Sequence, residues 1–334
     1  VEPGRSAGEM MAKINQDRGC VCYPFGVEGE KTSALFCVFD GHGVCGDKVS
    51  HYAMHGMQAK LEQHPLLASD PKTALEQVFI AIDTELQTDS SIDAELSGTT
   101  AVVALARWTQ GGRGKVWVAN VGDSRAVMAV QKGGKLKAVA LSEDQKPDTP
   151  AEQKRIEKAG GFVSPPEEEW GGPARVWLDA NMTLPGLAMA RSIGDHLVGG
   201  KGVIAKPEVK EVDIDPAANM AAEGPQLLVM ASDGVWEFID SQEAVDILQA
   251  NNARASATEA VTKLIETAAH QWRKEEGDYR DDITAVCINL VERLQARRRR
   301  RRGGGAELNA SRSSCSSEAT TDRADGGRRR RAAA

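Results

Sequence analysis

Short apolar runs separated by turn residues dominate the first 290 residues of the chain. LFCVFD (35–40), TAVVALARW (100–108), VWVANVG (116–122), AVMAV (126–130), QLLVMASD (226–233) and ITAVCINL (283–290) have the length and composition of buried strands. Apolar positions recur at helical spacing over 46–63 and 71–88, and Asp70 followed by Pro71 supplies an N-cap and a first helical residue. Further helices are expected at 150–159, closed by Gly160-Gly161, at 241–250 and at 255–275. Several strands follow one another between 100 and 141. That succession argues against βαβ alternation and for antiparallel sheets covered by helices, an α+β class.

The pattern stops near residue 293. RRRRRRGGG (297–305), a Ser/Ala/Thr-rich stretch and RRRRAAA (328–334) hold almost no large apolar residues. Such a segment cannot offset the ordering entropy of a packed core, so 1–293 is read as the folded domain and 294–334 as a disordered Arg-rich tail. Charge divides the same way. The chain carries 41 Lys and Arg against 48 Asp and Glu, but residues 295–334 alone hold 12 Arg and 4 acidic residues. The body is therefore strongly acidic, unsuited to general nucleic-acid binding and suited to collecting divalent cations. The Arg blocks match nuclear import signals or tethers to anionic lipid. No aromatics are interleaved there for stacking on bases.

No apolar run approaches the roughly 20 residues that span a bilayer, and VEPGRSAGEM lacks the apolar core of a secretory leader. The chain begins at Val1 rather than Met, which leaves room for sequence upstream. Cys20, Cys22, Cys37, Cys45, Cys287 and Cys315 form no CxxC pair. They read as reduced thiols of an intracellular protein, and the Arg-rich tail adds the expectation of a cytoplasmic or nuclear location.

The chemistry lies in a recurring grammar, an apolar strand ending in Asp with Gly beside it. It occurs at Asp40-Gly41-His42-Gly43, at Gly122-Asp123 and at Asp233-Gly234, and Asp281-Asp282 stands at a strand start. One Asp-Gly after a strand is more often a turn than a ligand. Together they set at least four carboxylates at strand ends, where their repulsion calls for a hard divalent cation. With no Cys/His pairing at zinc spacing, Mg²⁺ or Mn²⁺ is preferred to Zn²⁺. Two such ions can activate a water against a phosphoryl group, and a nearby imidazole can protonate the leaving oxygen. His42, between glycines and two residues from Asp40, is expected to be exposed by its backbone for that role.

The residues resemble the metal-dependent Ser/Thr protein phosphatases of the protein phosphatase 2C type. The likeness spans Lys13 to Leu290 and rests on collinear motifs: KINQD (13–17), FCVFDGHG (36–43), SGTTA (97–101), VANVGDSRAV (118–127), LSEDQKPD (141–148), RIEKAGG (155–161), LAMARSIGD (187–195), LVMASDGVWEFI (228–239) and RDDITAV (280–286). The resemblance implies a β-sandwich of two antiparallel sheets flanked by helices, four layers αββα, with a dinuclear Mn²⁺ or Mg²⁺ site. It implies that Asp40 bridges both ions, that the Gly41 carbonyl ligates one, that Asp233 and Asp281 hold the first, and that Asp17 reaches the second through water. His42 matches the general acid. Asp123 and Glu237, with Asp233, match a third and weaker metal position. Phosphorylated proteins are the implied substrates, for a monomeric enzyme that needs no nucleic acid.

Some positions depart from the family pattern. Gln16 stands where many members have Glu. The phosphate-binding Arg of the first motif has no counterpart in register, and Lys13, one residue off, is taken in its place. Asp282 follows Asp281 where Asn is common, and Ala190 replaces a frequent Ser. FVSPPEEEWGGPARVWLDANMTL (162–184), rich in Pro, Gly and acid, resembles the substrate-selecting flap beside the site. His51, His55 and His64 are read as surface or satisfied residues, the Met and Leu residues of 46–61 as core, and Trp117 and Trp177 as packing. The alternative to an enzyme is a pseudophosphatase, a scaffold that keeps the fold. It predicts lost carboxylates, whereas Asp17, Asp40, Asp233 and Asp281 are all present.

Overall fold

The segment Ser33–Phe39 is buried at every position, which a strand achieves only when both faces of its sheet are covered. The computed structural model describes residues 13–26, 32–109, 113–167, 172–214 and 224–290; the Arg-rich tail and its expected boundary lie outside them. In chain order the elements begin with β1 (Arg18–Cys22), β2 (Ser33–Phe39), β3 (Gly41–His42), α1 (Gly46–Glu62), α2 (Pro71–Thr88), β4 (Gly98–Thr99), β5 (Ala101–Trp108) and β6 (Gly114–Val121). They continue with β7 (Arg125–Lys132), β8 (Lys135–Ala140), α3 (Pro150–Lys158), β9 (Phe162–Ser164), β10 (Arg175–Trp177), β11 (Pro185–Leu187), β12 (Ile193–Gly194) and α4 (His196–Gly199). The last are β13 (Glu208–Ile214), β14 (Gly224–Ala231), α5 (Asp233–Trp236), α6 (Ser241–Ala250), α7 (Ala257–Glu275) and β15 (Ala285–Asn289).

Two antiparallel sheets face each other, ordered β1-β2-β5-β6-β13 and β15-β14-β7-β8. Strand β2 touches β14 and β15 of the opposite sheet. One face of the first sheet, with Leu35, Cys37, Phe39, Val103 and Leu105, packs on Val49, Ala53, Met57 and Leu61 of α1 and on Leu75, Val78, Phe79 and Ile82 of α2. The outer face of the second, with Val127, Ala129, Leu227 and Val229, packs on Val245 and Leu248 of α6 and Leu264 and Ala268 of α7. This is the αββα sandwich in four layers. Burying each of these large side chains contributes about 1.5–3 kcal/mol.

The helix starts follow their local chemistry. Asp70 caps α2 by accepting from the Thr73 amide, with Pro71 in the first turn. Ser256 caps α7 by accepting from the Glu259 amide, which moves the helix start from the expected 255 to Ala257. The strands that sequence patterning passes over are polar edges. Glu208–Ile214 reads EVKEVDI and buries fully only its last residue. Arg18–Cys22 alternates exposed and half-buried positions. The region expected as a flap carries sheet structure, because Arg175–Trp177 pairs with Phe162–Ser164 on one side and with Pro185–Leu187 on the other, in the order β11-β10-β9.

Met57 and Leu61 are core residues, as the spacing predicts, and His51 and His55 are exposed with ring centroids 4.4 Å apart. His64 bonds Gln77 at 3.1 Å. Trp117 donates to Glu211 and Trp177 to Ser164, both consistent with packing roles.

Candidate active site

Strand register gathers the acidic residues at one end of the sandwich. Arg18 pairs with Phe39, so Asp17 and Asp40 are the next residues out from one rung. Ala231 pairs with both Ala285 and Arg125, which brings Ser232-Asp233, the 281–284 segment and Asp123 together on the second sheet. The two ends are tied by hydroxyl groups. Ser232 Oγ donates to Asp17 Oδ2 (2.9 Å) while accepting from the Thr284 amide (3.1 Å). The Asp40 amide donates to Thr100 Oγ1 (3.1 Å), and Thr99 Oγ1 donates back to the Asp40 carbonyl (3.0 Å).

The electrostatics are those of crowded carboxylates. Burial holds the Asp40 carboxyl well above its ordinary range, and the charges of Asp233, Asp17 and Asp123 push in the same direction. Burial likewise raises Asp17. Asp233 is pushed up to about 7 by burial, then by the charges of Asp123 and Asp281. Asp17 Oδ1, Asp123 Oδ1 and Asp233 Oδ1 are buried without a hydrogen-bond partner.

Orphaned carboxylate oxygens are costly and call for an occupant. All-oxygen donors suit Mg²⁺ or Mn²⁺, which complete their shells with carbonyls and water. Among the described residues no three His, Cys, Asp or Glu side chains already stand ready to hold an ion. Two lysines engage the carboxylates instead. Lys146 Nζ lies 2.6 Å from Asp123 Oδ2, and Lys13 Nζ lies 2.5 Å from Asp281 Oδ1 and 5.6 Å from the Tyr279 ring centroid. The ammonium expected to serve phosphate is thus engaged with the Asp281 carboxylate. Glu237 is exposed, one turn beyond Asp233, with its amide bonded to the Asp233 carbonyl (2.8 Å).

Gln16 and Asp282 each hold backbone near the site. Asp282 Oδ2 accepts the Gln16 amide (2.8 Å), and Gln16 Nε2 donates to the Gly43 carbonyl (2.7 Å), a bond that a glutamate could not make. Asp282 therefore anchors the segment that carries Asp17. Gly41 admits no side chain, since a Cβ would lie 2.3 Å from the Gly46 carbonyl oxygen and 2.7 Å from that of Gln16.

His42 lies on β3, in a three-stranded sheet ordered β12-β4-β3. Its side chain is 25% exposed, so the flanking glycines serve close packing rather than exposure; at Gly43 a Cβ would meet the Leu96 carbonyl oxygen at 2.3 Å. His42 Nε2 lies 2.8 Å from Asp195 Oδ2, and His42 Nδ1 is buried without a partner. Burial alone would lower the imidazole pKa. The charge and hydrogen bond of Asp195, with Asp123 and Asp233, outweigh it and raise the pKa. Sequence reasoning left Asp195 without a role, because 153 residues separate it from His42 and only the β12-β4-β3 pairing joins them.

Comparison with known proteins fits this geometry. The profile of the Protein phosphatase 2C family matches residues 6–277. The chain is 34% identical over 300 residues to "Probable protein phosphatase 2C 35" of Arabidopsis thaliana, covering 83% of this chain and 79% of that protein. It is also 34% identical over 323 residues to "Probable protein phosphatase 2C 12" of Oryza sativa subsp. japonica, covering 83% and 78%. Among solved structures, a serine-threonine phosphatase 2C from Toxoplasma gondii superposes with a TM-score of 0.69 at 24% identity, over 83% of this chain and 91% of that one.

Proposed function

Because the chain belongs to the protein phosphatase 2C family and is a Ser/Thr protein phosphatase, we infer that hydrolysis of phosphoserine and phosphothreonine takes place at this carboxylate cluster, with Mg²⁺ or Mn²⁺ as resident cofactor. The observation that carries the reading is the trio of buried, partnerless oxygens on Asp17, Asp123 and Asp233 around Asp40. When bound, two such ions supply a water of lowered pKa and neutralise charge on the phosphoryl oxygens.

The chain's own residues do the rest. Asp40, Asp233, Asp281 and the Gly41 carbonyl would hold the ions, with Asp17 reaching one of them through water. Asp123 and Glu237 would serve a weaker third position, for which the Lys146 ammonium competes at Asp123. Lys13 would release Asp281 as an ion enters, which frees its ammonium for a phosphoryl oxygen. His42 donates a proton to the leaving seryl or threonyl oxygen, so that the alcohol departs neutral.

The test is phosphate release from a phosphothreonine peptide with Mn²⁺, with EDTA and with Asp233→Ala. Turnover that needs the metal and is lost in both controls supports the reading. A folded protein that binds Mn²⁺ and releases no phosphate would point instead to a scaffold.

A further inference from the structure

We propose that Asp195 is the positioning residue of His42, fixing the imidazole with Nε2–H bound to its carboxylate and Nδ1 turned to the substrate's leaving oxygen. The assignment rests on the reading of His42 as proton donor and adds to it which nitrogen acts and what holds the ring.

The geometry is built for this contact. A carboxylate can only accept, so the 2.8 Å contact places the hydrogen on Nε2 and leaves Nδ1, which has no partner, as the working atom. Asp195 is 3% exposed and adopts the left-handed region, φ 54° and ψ 38°. That conformation is uncommon for a residue with a Cβ. It is held from several directions. The Asp195 amide donates to the Ser97 carbonyl (3.0 Å), and its own carbonyl accepts from the Val198 amide (3.0 Å). Preceding Gly194, at φ +91°, donates its amide to Asp83 Oδ1 (2.8 Å), and following His196 places Nε2 at 3.0 Å from the same oxygen.

Opposite this turn the backbone makes room for nothing else. A Cβ on Gly98 would lie 2.1 Å from Asp195 Oδ2 and 2.7 Å from His42 Nε2. The pair is therefore closed in by β4 on one side and by a strained turn on the other. Strain that aims a carboxylate at a single ring nitrogen is what a positioning role requires.

The proton inventory balances. The bond from phosphorus to the seryl oxygen breaks as a bond to the water oxygen forms. Nδ1–H passes its proton to the departing oxygen, and the proton released by the water restores the imidazolium, which Asp195 stabilises through Nε2–H. An alkyl phosphate depends on that donation because its alkoxide is a poor leaving group. An aryl phosphate with an acidic phenol depends on it little.

The experiment compares wild type, Asp195→Asn, His42→Gln and the double variant on a phosphothreonine peptide and on p-nitrophenyl phosphate with Mn²⁺. The expected result for Asp195→Asn is a loss of about 100-fold in kcat on the peptide, with KM within a few-fold and the aryl phosphate nearly unaffected. Adding Asp195→Asn to His42→Gln costs nothing further. In parallel, ring ¹⁵N NMR of the metal-free wild-type protein, at a pH where the imidazole is neutral, is expected to show the Nε2–H tautomer, a readout that needs no variant and no turnover. Equal losses on both substrates, or a neutral ring carrying its proton on Nδ1, would overturn the assignment. Absence of metal-dependent turnover in wild type would instead sink the underlying reading, while the tautomer still decides the pairing.

Discussion

Glu152 of α3 and Arg191 of the segment leading into β12 meet in a two-point pairing, Nη2 to Oε1 at 2.6 Å and Nε to Oε2 at 3.0 Å. Arg155 reaches the same carboxylate (2.6 Å), and Arg191 adds Glu208 (2.9 Å) and the Lys206 carbonyl (3.0 Å). Glu152 is 3% exposed and Arg191 8%. The pairing thus fastens α3 to the stretch that delivers Asp195 four residues later. Removing Glu152 takes from Arg191 its buried two-point partner and leaves only the exposed Glu208 carboxylate, at a cost of about 3 kcal/mol. Glu152→Gln is therefore expected to lower the unfolding free energy by that amount, read as a lower urea midpoint with an unchanged slope. Burial would raise the Glu152 pKa, but Arg191 and Arg155 together lower it. Its contribution is present above the ordinary glutamate range and is lost as pH falls through the depressed folded value. The stabilities of wild type and variant should converge in acid, and a constant gap down to pH 2 would contradict the pairing.

Asp83 and His196 predict the opposite pH dependence. The imidazole is 7% exposed. Burial would lower its pKa, yet the Asp83 hydrogen bond and charge, with Glu95 and Asp195, raise it. A raised histidine contributes stability that is fully present below its ordinary range near 6.5. That contribution is lost as pH rises through the folded value. His196→Gln should cost about 1 kcal/mol at pH 5.5, and the difference in melting temperature should shrink as pH rises above 6.5. A difference that grows with pH would show that the ring is neutral throughout.

Much of this architecture was legible in the sequence, and what was missed shares a physical cause. The runs at Leu35–Asp40 and Gln226–Asp233 read as strands because both of their faces are buried, which removes the polar half of the alternation. Glu208–Ile214 escaped because an edge strand can be charged on its open side and takes its structure from the register with Gly114–Asn120. The carboxylates of the candidate site were legible as strand-end Asp residues. Asp195, Lys146 and the bond of Gln16 to Gly43 were not, because each acts through a partner distant in sequence or through backbone. Lys13 was read from its place in the first motif, and His42 from its flanking glycines and its spacing from Asp40. The structure adds the Asp281 pairing to the first and a packed environment to the second.

Gly98 should tolerate no side chain. A methyl group there has to displace either the Asp195 carboxylate or the His42 ring. The backbone of β4 would keep its pairing with Thr99↔Gly41 and Thr99↔Ile193. Gly98→Ala is expected to reduce phosphopeptide turnover by 10-fold or more while shifting the melting temperature by only a few degrees. Full activity in a folded variant would mean that the pair can separate without consequence.

Charge repulsion in the candidate metal site makes a prediction that separates stability from function. Burial and the charges of Asp123 and Asp281 push the Asp233 carboxyl up to about 7, and one of its oxygens is buried and unpartnered. In EDTA at neutral pH, part of the folded population must carry that charge where nothing neutralises it. Asp233→Asn keeps the shape, supplies donor hydrogens for its carboxylate neighbours and removes the repulsion, so the chelated protein should gain about 1 kcal/mol, a rise of roughly 2–4 °C in melting temperature. Adding millimolar Mn²⁺ should then reverse the order. Wild type gains stability in proportion to the logarithm of ion concentration over the dissociation constant, whereas the variant, lacking a ligand, gains far less. A variant that melts lower than wild type in EDTA, or rises equally with Mn²⁺, would show that Asp233 is a structural residue and that the ions, if they bind, are held elsewhere.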